Sequence, residues 1–214
     1  MMYVGIIDYG SGNIRSVFKS FEKAASLVSS KVKIKVINNC EELEELEKIV
    51  LPGVGAFADC MQGLKNKPGL LDVIKRKVLE EKKPFLGICV GMQLLANSSS
   101  EYGHTEGLSW IDGEVNSIKI IQKNIKIPHM GWNSILFDSD HSLLKNIKKD
   151  EDFYFVHSYK FNVQNNDFVL AKTKYGSDIT AIVLKDNILG TQFHPEKSQV
   201  AGIQFIKNFI EWSP

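Results

Sequence analysis

The sequence predicts an α/β fold: a doubly wound, mostly parallel sheet with a β-rich, partly antiparallel extension. In the first half of the chain, short apolar runs alternate with amphipathic helical patterns, which indicates right-handed crossovers and a parallel sheet. In the second half, short strand-like runs follow one another between turn residues, which indicates antiparallel pairing. The chain has 214 residues, 43% of them hydrophobic, so we expect a single domain over residues 1–214 with one sizeable core.

The elements of the first half are assigned from the periodicity of their apolar residues, which is helical in some segments and continuous in the buried strands. They are a strand at 3–8, a helix at 13–27, a strand at 33–38, a solvated acidic helical turn at 41–48, a strand at 48–53, a helix at 70–83, a strand at 84–89 and a helix beginning within MQLLANS, 92–98.

The second half is assigned as a series of strands and one closing helix, because β-branched and aromatic residues are frequent there and turn residues separate the runs. The strands are EVNSIKII (114–121), NSILF (133–137), FYFVHSYKF (153–161), DFVLAKT (167–173), ITAIVLKD (179–186) and ILGTQF (188–193), and the helix covers 198–212.

Composition and charge exclude several classes of protein. The formal net charge is +1 and the charged residues are scattered, so no basic stripe is available to neutralise nucleic-acid phosphates. The N-terminus lacks the basic and long apolar regions of a signal peptide, and no apolar window approaches the roughly 18 residues of a membrane span. Cys40, Cys60 and Cys89 form no C-x-x-C pair, which fits a reducing compartment. We therefore expect a cytoplasmic protein without nucleic-acid or membrane partners.

One cysteine stands between two glycines where an apolar strand stops. In GICVG, Cys89 is two residues from Gly87 and two residues from Gly91. A strand that ends in G-x-C-x-G and enters a helix is typical of a nucleophile elbow, which presents the side chain at the carboxyl edge of an open sheet. The N-terminus of the following helix favours a thiolate there. The alternative is a small buried cysteine that ends a strand.

A cysteine nucleophile needs a base, and His194 is the best candidate among the five histidines. It follows an apolar run, precedes a proline, and is followed two residues later by Glu196, an acid that can orient the imidazole. Alone, His-Pro-Glu also suits a strand-end turn. No metal-site spacing occurs, so no metal or other cofactor is expected. The remaining histidines lie in polar turns (His104 and His141) or beside apolar runs (His129 and His157). The simplest interpretation of the last two is a hydrogen-bonded core histidine, and for His157 a position near the site is the alternative.

Taken together, GICVGMQ and QFHPEKS resemble the class I, triad-type glutamine amidotransferases. Further segments, in order from about residue 3 to about residue 210, resemble in particular the glutaminase subunits of imidazole glycerol phosphate synthase in histidine biosynthesis. These segments are DYGSGN (8–13), LPGVGAF (51–57), PHMGWN (128–133) and YFVHSY (154–159).

The resemblance implies a role for each matching residue. Cys89 would attack the side-chain amide of glutamine, His194 would act as general base and then as acid, and Glu196 would orient His194. The oxyanion hole would use the N–H of Val90 and the loop containing Gly53 and Val54. The substrate pocket would be completed by Gly55, Gln93, Glu101, Ser158 and Tyr159, with Glu101 pairing with the α-amino group and the last two contacting the α-carboxylate.

The resemblance also implies a partner. Ammonia released from glutamine would pass through a channel to a (β/α)8-barrel cyclase subunit, in a heterodimer that forms imidazole glycerol phosphate and AICAR. Asn13, in the loop at 10–16, together with Trp132 and Lys197, matches the interface pattern of the family. A phosphate-binding role for Gly10-Ser11-Gly12 is weaker, because no third glycine completes G-x-G-x-x-G.

Three alternatives remain open from the sequence. The first keeps the glutaminase chemistry and supplies ammonia to an amidotransferase that modifies surface sugars. The second is a stand-alone cysteine hydrolase or peptidase on the same fold, which the HPEKS and PHMGWN segments disfavour. The third is an inactive scaffold, which the intact Cys89, His194 and Glu196 disfavour.

Overall fold

The computed structural model of the chain describes residues 1–119 and 125–214. The strands are β1 (Met2–Ile7), β2 (Val32–Ile37), β3 (Lys48–Gly53), β4 (Phe85–Cys89), β5 (Ser98–Ser99), β6 (Thr105–Glu106), β7 (Gly113–Ser117), β8 (His129–Ser134), β9 (Asp152–His157), β10 (Tyr159–Val163), β11 (Val169–Lys174), β12 (Asp178–Lys185) and β13 (Ile188–Thr191). The α-helices are α1 (Ile14–Ala25), α2 (Phe57–Lys65), α3 (Leu70–Lys75), α4 (Val90–Gln93) and α5 (Gln199–Glu211).

The main sheet has seven strands among the described residues, in the order β11-β12-β13-β4-β3-β1-β2. Neighbouring strands from β13 to β2 are parallel, and β12 is antiparallel to both β11 and β13. The predicted fold class, a mostly parallel sheet with antiparallel strands, is therefore confirmed. The chain runs from β1 to β2 in one direction across the sheet and from β3 to β4 in the other, so the strand order reverses between β1 and β3. In open α/β sheets, ligands bind outside the carboxyl ends of the strands at such a reversal.

The core joins the sheet to the helices through buried apolar side chains. α1 packs against α5, where the rings of Phe21 and Phe209 meet edge to face with centroids 6.3 Å apart. A second aromatic cluster lies where β9 meets the end of β13, because Phe153 packs 4.2 Å from Phe193 between ring centroids. This cluster supports the segment that carries His194.

The β-rich extension consists of two small sheets beside the main sheet. One has the order β10-β7-β5-β6, and the other pairs β8 with β9 in antiparallel register. The predicted strand FYFVHSYKF is in fact two strands, β9 and β10, which belong to different sheets and are separated at Ser158. For the predicted strand at 114–121, the structure has β7, and residues 120 and 121 lie outside the described residues.

Two predicted helices differ from the structure. The segment at 70–83 is helical as α3, but it continues as a π-helical turn from Arg76 to Glu80, where the N–H of Glu81 donates to the carbonyl of Arg76. The helix expected after Cys89 ends after one turn. Its next carbonyls, from Leu94 to Ala96, accept hydrogen bonds from the backbone at 108–111, so they cannot continue the helical ladder.

Candidate active site

An open pocket of about 530 Å³ lies at the carboxyl edge of the main sheet, beside the reversal between β1 and β3. The loops after β1, β3, β4, β5 and β13, the residue before β8 and the junction of β9 with β10 supply its walls. Eleven of the predicted site residues are among those that line it; Gly53, Glu196 and Trp132 are not. The lining residues are Asn13, Val54, Gly55, Cys89, Val90, Gln93, Glu101, Pro128, Val156, His157, Ser158, Tyr159, His194 and Lys197.

Cys89 occupies a sharp turn between β4 and α4. Its backbone has φ 55° and ψ −109°. Residues other than glycine rarely adopt this conformation, which costs about 1–3 kcal/mol. The flanking glycines allow this turn, because a Cβ on Gly87 would meet the backbone N of Met92 at 2.8 Å and one on Gly91 would overlap the carbonyl of Leu51. The side chain of Cys89 is buried at the base of the pocket.

His194 lies in the same pocket, immediately after β13. Its Nδ1 donates to Glu196 Oε1 at 2.8 Å, and both side chains are 2% exposed. The backbone holds the ring in place, since the N–H of His194 donates to the carbonyl of Tyr154 at 2.9 Å and the hydroxyl of Ser198 donates to the carbonyl of His194 at 2.7 Å. Nε2 of His194 has no hydrogen-bond partner within the described parts of the chain, so it is free to exchange a proton with a reacting group.

The electrostatics of the site favour a protonated His194. Burial disfavours the imidazolium, but the sulfur of Cys89 and the carboxylate of Glu196 outweigh burial and raise the pKa of His194 to about 10. The side chain is therefore positively charged at neutral pH. A positive charge beside the sulfur favours the thiolate, which is the nucleophilic form of cysteine.

Two buried glutamines lie next to the sulfur. Gln192 Nε2 is 3.8 Å from Cys89 Sγ, and Gln192 Oε1 accepts from Gln93 Nε2 at 3.0 Å. Gln93 Nε2 also donates to the backbone carbonyl of Tyr159 at 3.1 Å. The amide protons of Gln93 thus hold the pocket wall, and its oxygen is the atom available to a substrate. Gln192 was not identified from the sequence, where it reads as part of a strand.

The loop after β3 lies against the turn at Cys89. Gly53 is the register partner of Cys89 across β3 and β4, and a Cβ on Gly53 would meet the backbone N of Gly91 at 2.7 Å. Val54 is half-exposed and faces the pocket, and Gly55 has φ 92°. The loop therefore brings two glycines and an exposed peptide next to the nucleophile.

Three side chains that the sequence analysis did not assign hold the carbonyls of this loop. The hydroxyl of Tyr9 donates to the carbonyl of Pro52 at 2.8 Å. The hydroxyl of Ser11 donates to the carbonyl of Val54 at 2.7 Å, and the thiol of Cys60 donates to the same carbonyl at 3.5 Å. Tyr9 and Ser11 lie within the DYGSGN segment, but no local motif predicts these contacts, because each one joins residues six or more positions apart in the chain.

The other end of the pocket carries the acidic side chain of Glu101 and the hydroxyl-bearing residues Ser158 and Tyr159. Glu101 Oε2 accepts from the N–H of Phe57 at 2.8 Å, so one oxygen caps the start of α2 and the other remains available. Burial, and then the charge of Glu101, raises the pKa of Tyr159, and both residues line the pocket. Ser158 lies on the same wall, at the junction of β9 and β10.

A pair of buried histidines supports this wall. His157 Nδ1 is 2.8 Å from the carbonyl of Tyr159, which can only accept, so this nitrogen carries the proton. His157 Nε2 then accepts from His129 Nδ1 at 2.9 Å, and His129 Nε2 accepts from the amide of Asn133 at 3.1 Å. Burial lowers the pKa of His129 to about 4 and that of His157 to about 3, so both rings are neutral at pH 7. His157 lines the pocket, whereas His129 is a hydrogen-bonded core residue as expected.

The predicted interface residues lie around the mouth of the pocket. Asn13 and Lys197 are exposed and line the pocket, and Trp132 is 48% exposed. Tyr154, which is not among the predicted site residues, joins two of them: its ring meets Trp132 edge to face at 6.1 Å between centroids, and the ring centroid lies 5.7 Å from Lys197 Nζ. These three side chains form one continuous surface beside the pocket.

Within residues 1–119 and 125–214, no group of three or more His, Cys, Asp or Glu side chains is arranged to hold a metal ion. In the same residues, no helix is long and apolar enough to span a membrane.

Solved structures share the fold. A crystal structure described as a glutamine amidotransferase superposes with a TM-score of 0.70 at 19% identity, covering 97% of both chains. A glutamine amidotransferase from Thermotoga maritima superposes with a TM-score of 0.61 at 17% identity, covering 98% of this chain and 83% of the other.

Closer relatives are found at the level of sequence. The chain is 47% identical over 214 residues to a protein of Rhodospirillum rubrum named imidazole glycerol phosphate synthase subunit HisH, with all of both chains covered. It is 46% identical over 216 residues to a protein of the same name from Brucella melitensis, again with full coverage. Residues 6–212 match the family model described as glutamine amidotransferase class-I. The chain therefore belongs to the class I glutamine amidotransferase family.

Proposed function

We propose that this chain, as one domain over residues 1–214, is the glutaminase subunit of imidazole glycerol phosphate synthase. It hydrolyses glutamine to glutamate and ammonia and passes the ammonia to a cyclase subunit in histidine biosynthesis. The observation that carries the proposal is the position of His194, which is hydrogen-bonded to Glu196 and lines the same pocket as Cys89. The full-length similarity to proteins named as this subunit supports the histidine pathway over a surface-sugar amidotransferase.

The proposed reaction begins with the thiolate of Cys89, which attacks the side-chain carbonyl carbon of glutamine. The carbonyl π electrons move to the oxygen and form a tetrahedral oxyanion. When the oxyanion collapses, the C–N bond breaks and Nε2 of His194 donates its proton to the departing ammonia. Cys89 is left as a glutamyl thioester. His194 then removes a proton from water, whose oxygen attacks the thioester and releases glutamate.

Glu196 makes His194 effective in both directions of proton transfer. Its bond to Nδ1 leaves Nε2 as the nitrogen that exchanges a proton, and its charge stabilises the imidazolium. Both side chains are almost fully buried, so water does not screen this interaction.

The oxyanion needs donors that do not rearrange during the reaction. The N–H of Val90, at the start of α4, follows the nucleophile directly, and the Gly53–Val54 peptide lies beside it across the β3–β4 register. Since Gly53 and Gly55 flank Val54, this peptide can turn over with little steric cost, and a partner could control it.

Ammonia is protonated in water, so it must reach its acceptor without release. We propose that a (β/α)8-barrel cyclase docks on the exposed surface around the pocket mouth, which includes Asn13, Trp132 and Lys197. The substrate glutamine would be held by Gln93, Glu101, Ser158 and Tyr159, all of which line the pocket.

The test is glutamate release from glutamine, measured for the purified chain alone and with the histidine-pathway cyclase and its nucleotide ligand. Strong stimulation by the liganded cyclase is expected. If the folded protein leaves glutamine untouched in both cases, the histidine-pathway assignment is wrong, and a surface-sugar amidotransferase becomes the partner to add.

A further inference from the structure

The side chain of Gln192 is fully buried next to the nucleophile, although it belongs to no part of the proposed triad. It is 0% exposed, and its only side-chain hydrogen bonds within the described residues are those to Gln93 and to the sulfur of Cys89. Burying an amide is costly unless it is hydrogen-bonded, so a position used only for packing would favour an apolar residue. Gln93 satisfies one end of the amide and, among the described residues, the other end is satisfied by the sulfur alone.

The orientation of the Gln192 amide follows from its neighbours. The backbone carbonyl of Tyr159 can only accept a hydrogen bond, so the atom of Gln93 that faces it is the nitrogen. The same nitrogen donates to Gln192, so the atom of Gln192 that receives it is the oxygen. The remaining end of Gln192, its Nε2, is consequently the end that lies 3.8 Å from Cys89 Sγ.

We propose that Gln192 is a positioning residue for the nucleophile: its amide, anchored by Gln93, donates to Cys89 Sγ and stabilises the thiolate. A fixed donor favours the charged form of the sulfur because a hydrogen bond to the thiolate is stronger than one to the thiol. The carbonyl of Val156, 3.9 Å from the sulfur, acts in the opposite sense, since it can accept a hydrogen bond from the thiol but donates none to the thiolate. The hydrogen bond from Gln192 to the thiolate offsets the preference of this carbonyl for the thiol.

Other groups near the sulfur also titrate. They are His194, supported by Glu196, and the buried side chains of Tyr9 and Cys60, whose pKa values are affected by Cys89. None of these side chains hydrogen-bonds to Gln192. A substitution at position 192 therefore changes the direct donor to the sulfur and leaves the other titratable groups in place.

The test is the pH dependence of Cys89 alkylation by iodoacetamide, read by mass spectrometry on the peptide that contains Cys89, so that Cys40 and Cys60 do not contribute. Gln192→Met keeps the size of the side chain and removes the donor. We expect it to move the alkylation midpoint up by about one pH unit, which slows alkylation about tenfold at any pH below both midpoints. Gln192→Glu, which places an acid at the sulfur, should move the midpoint further in the same direction.

The matched control is Asn208→Leu, which removes another buried amide, bonded to the carbonyls of Leu143 and Lys145 in a different part of the fold. It should lower stability without moving the midpoint. Circular dichroism establishes whether each variant is folded. If Gln192→Met does not fold, the alkylation midpoint of Gln192→Glu provides the test. An unchanged midpoint in a folded Gln192 variant overturns the inference.

The inference rests on the proposed function only in its second readout, the rate of glutamine hydrolysis. There, Gln192→Met should lower kcat about tenfold, because the nucleophile is affected. It should also raise the KM for glutamine, because Gln93 loses the acceptor that Gln192 Oε1 provides, whereas Gln192→Glu keeps that acceptor and should lower kcat alone. If the alkylation midpoint moves in the variant but the wild-type chain never hydrolyses glutamine, the proposed function fails while the role of Gln192 stands. If the wild-type chain hydrolyses glutamine and the midpoint does not move in the variant, the proposed function stands and the role of Gln192 fails.

Discussion

The hydroxyl of Ser11 donates to the carbonyl oxygen of Val54 at 2.7 Å and thereby joins the loop after β1 to the loop after β3. Cys60 Sγ lies 3.2 Å from the same hydroxyl and 3.5 Å from the same carbonyl. The first loop faces the proposed partner surface, and the second holds the proposed oxyanion peptide. Ser11 thus joins the loop at the proposed partner surface directly to the loop that holds the proposed oxyanion peptide.

Replacing Ser11 with alanine should loosen this link. A hydrogen bond of this kind contributes about 1 kcal/mol, so its loss changes the balance between loop conformations up to about fivefold. We expect basal glutaminase activity of the free chain to rise, and the stimulation factor of the liganded cyclase to fall by a similar factor, because the loop is already partly released. Steady-state assays with and without the cyclase measure both. Ser11→Thr, which keeps a hydroxyl, is the control, and an unchanged stimulation factor in Ser11→Ala would contradict the link.

The sequence predicted the sheet and the candidate nucleophile because both depend on local patterns. Apolar periodicity marks β1 to β4, and the G-x-C-x-G spacing marks the turn at Cys89. The proximity of His194 to Glu196 follows from their separation of two residues after a strand. These features require no knowledge of contacts between distant segments.

The remaining features depend on contacts between distant segments. Ser11 and Val54 are 43 residues apart, and Gln192 and Cys89 are 103 residues apart. No single-sequence pattern encodes such pairs. The same reason explains the short α4, because the backbone at 108–111 competes for the carbonyls that would have continued the helix. Local propensity is overruled there by tertiary hydrogen bonds.

Removing the sulfur of Cys89 should abolish glutamine hydrolysis while leaving the fold and cyclase binding intact. The structure adds a prediction about stability: Cys89→Gly should be more stable than Cys89→Ala by about 1 kcal/mol, because glycine relieves the strain of φ 55°. In ordinary positions the order is reversed, since glycine gains entropy on unfolding. Urea unfolding gives the stability and calorimetry gives the cyclase affinity. Loss of cyclase binding in a folded variant would contradict the separation of the two roles.

Glu196 should control the protonation of His194. The pKa of His194 is raised to about 10 from its ordinary value of 6.5, so the imidazolium persists through neutral pH and is lost only as the pH rises toward 10. Glu196→Gln removes a stabilising negative charge, so the pKa should fall and the alkaline limb of activity should move to lower pH. We expect kcat to drop at least about a hundredfold. Titration of the imidazole by ¹⁵N NMR measures the pKa directly, and a pKa that does not fall in the variant would exclude this role for Glu196.

The hydrogen-bonded pair His129 and His157 should affect the affinity for glutamine, because the pair supports the pocket wall at Tyr159. The ring of His129 stacks between those of Phe155 and Tyr175, with centroid distances of 4.6 and 4.0 Å. His129→Phe keeps this stacking but removes the donor to His157 Nε2. A buried acceptor left unpaired costs about 1–3 kcal/mol of unfolding free energy.

Because His157 also holds the carbonyl of Tyr159, the same change should raise the KM for glutamine severalfold and leave kcat within about twofold. Urea unfolding and steady-state kinetics measure the two effects. His141→Phe is the matched control: His141 Nδ1 accepts from the N–H of Leu143 in a turn that does not line the pocket, so stability should fall while KM stays unchanged. If KM is unaltered in a folded His129→Phe variant, the pair serves the core alone and the pocket wall is held by Gln93.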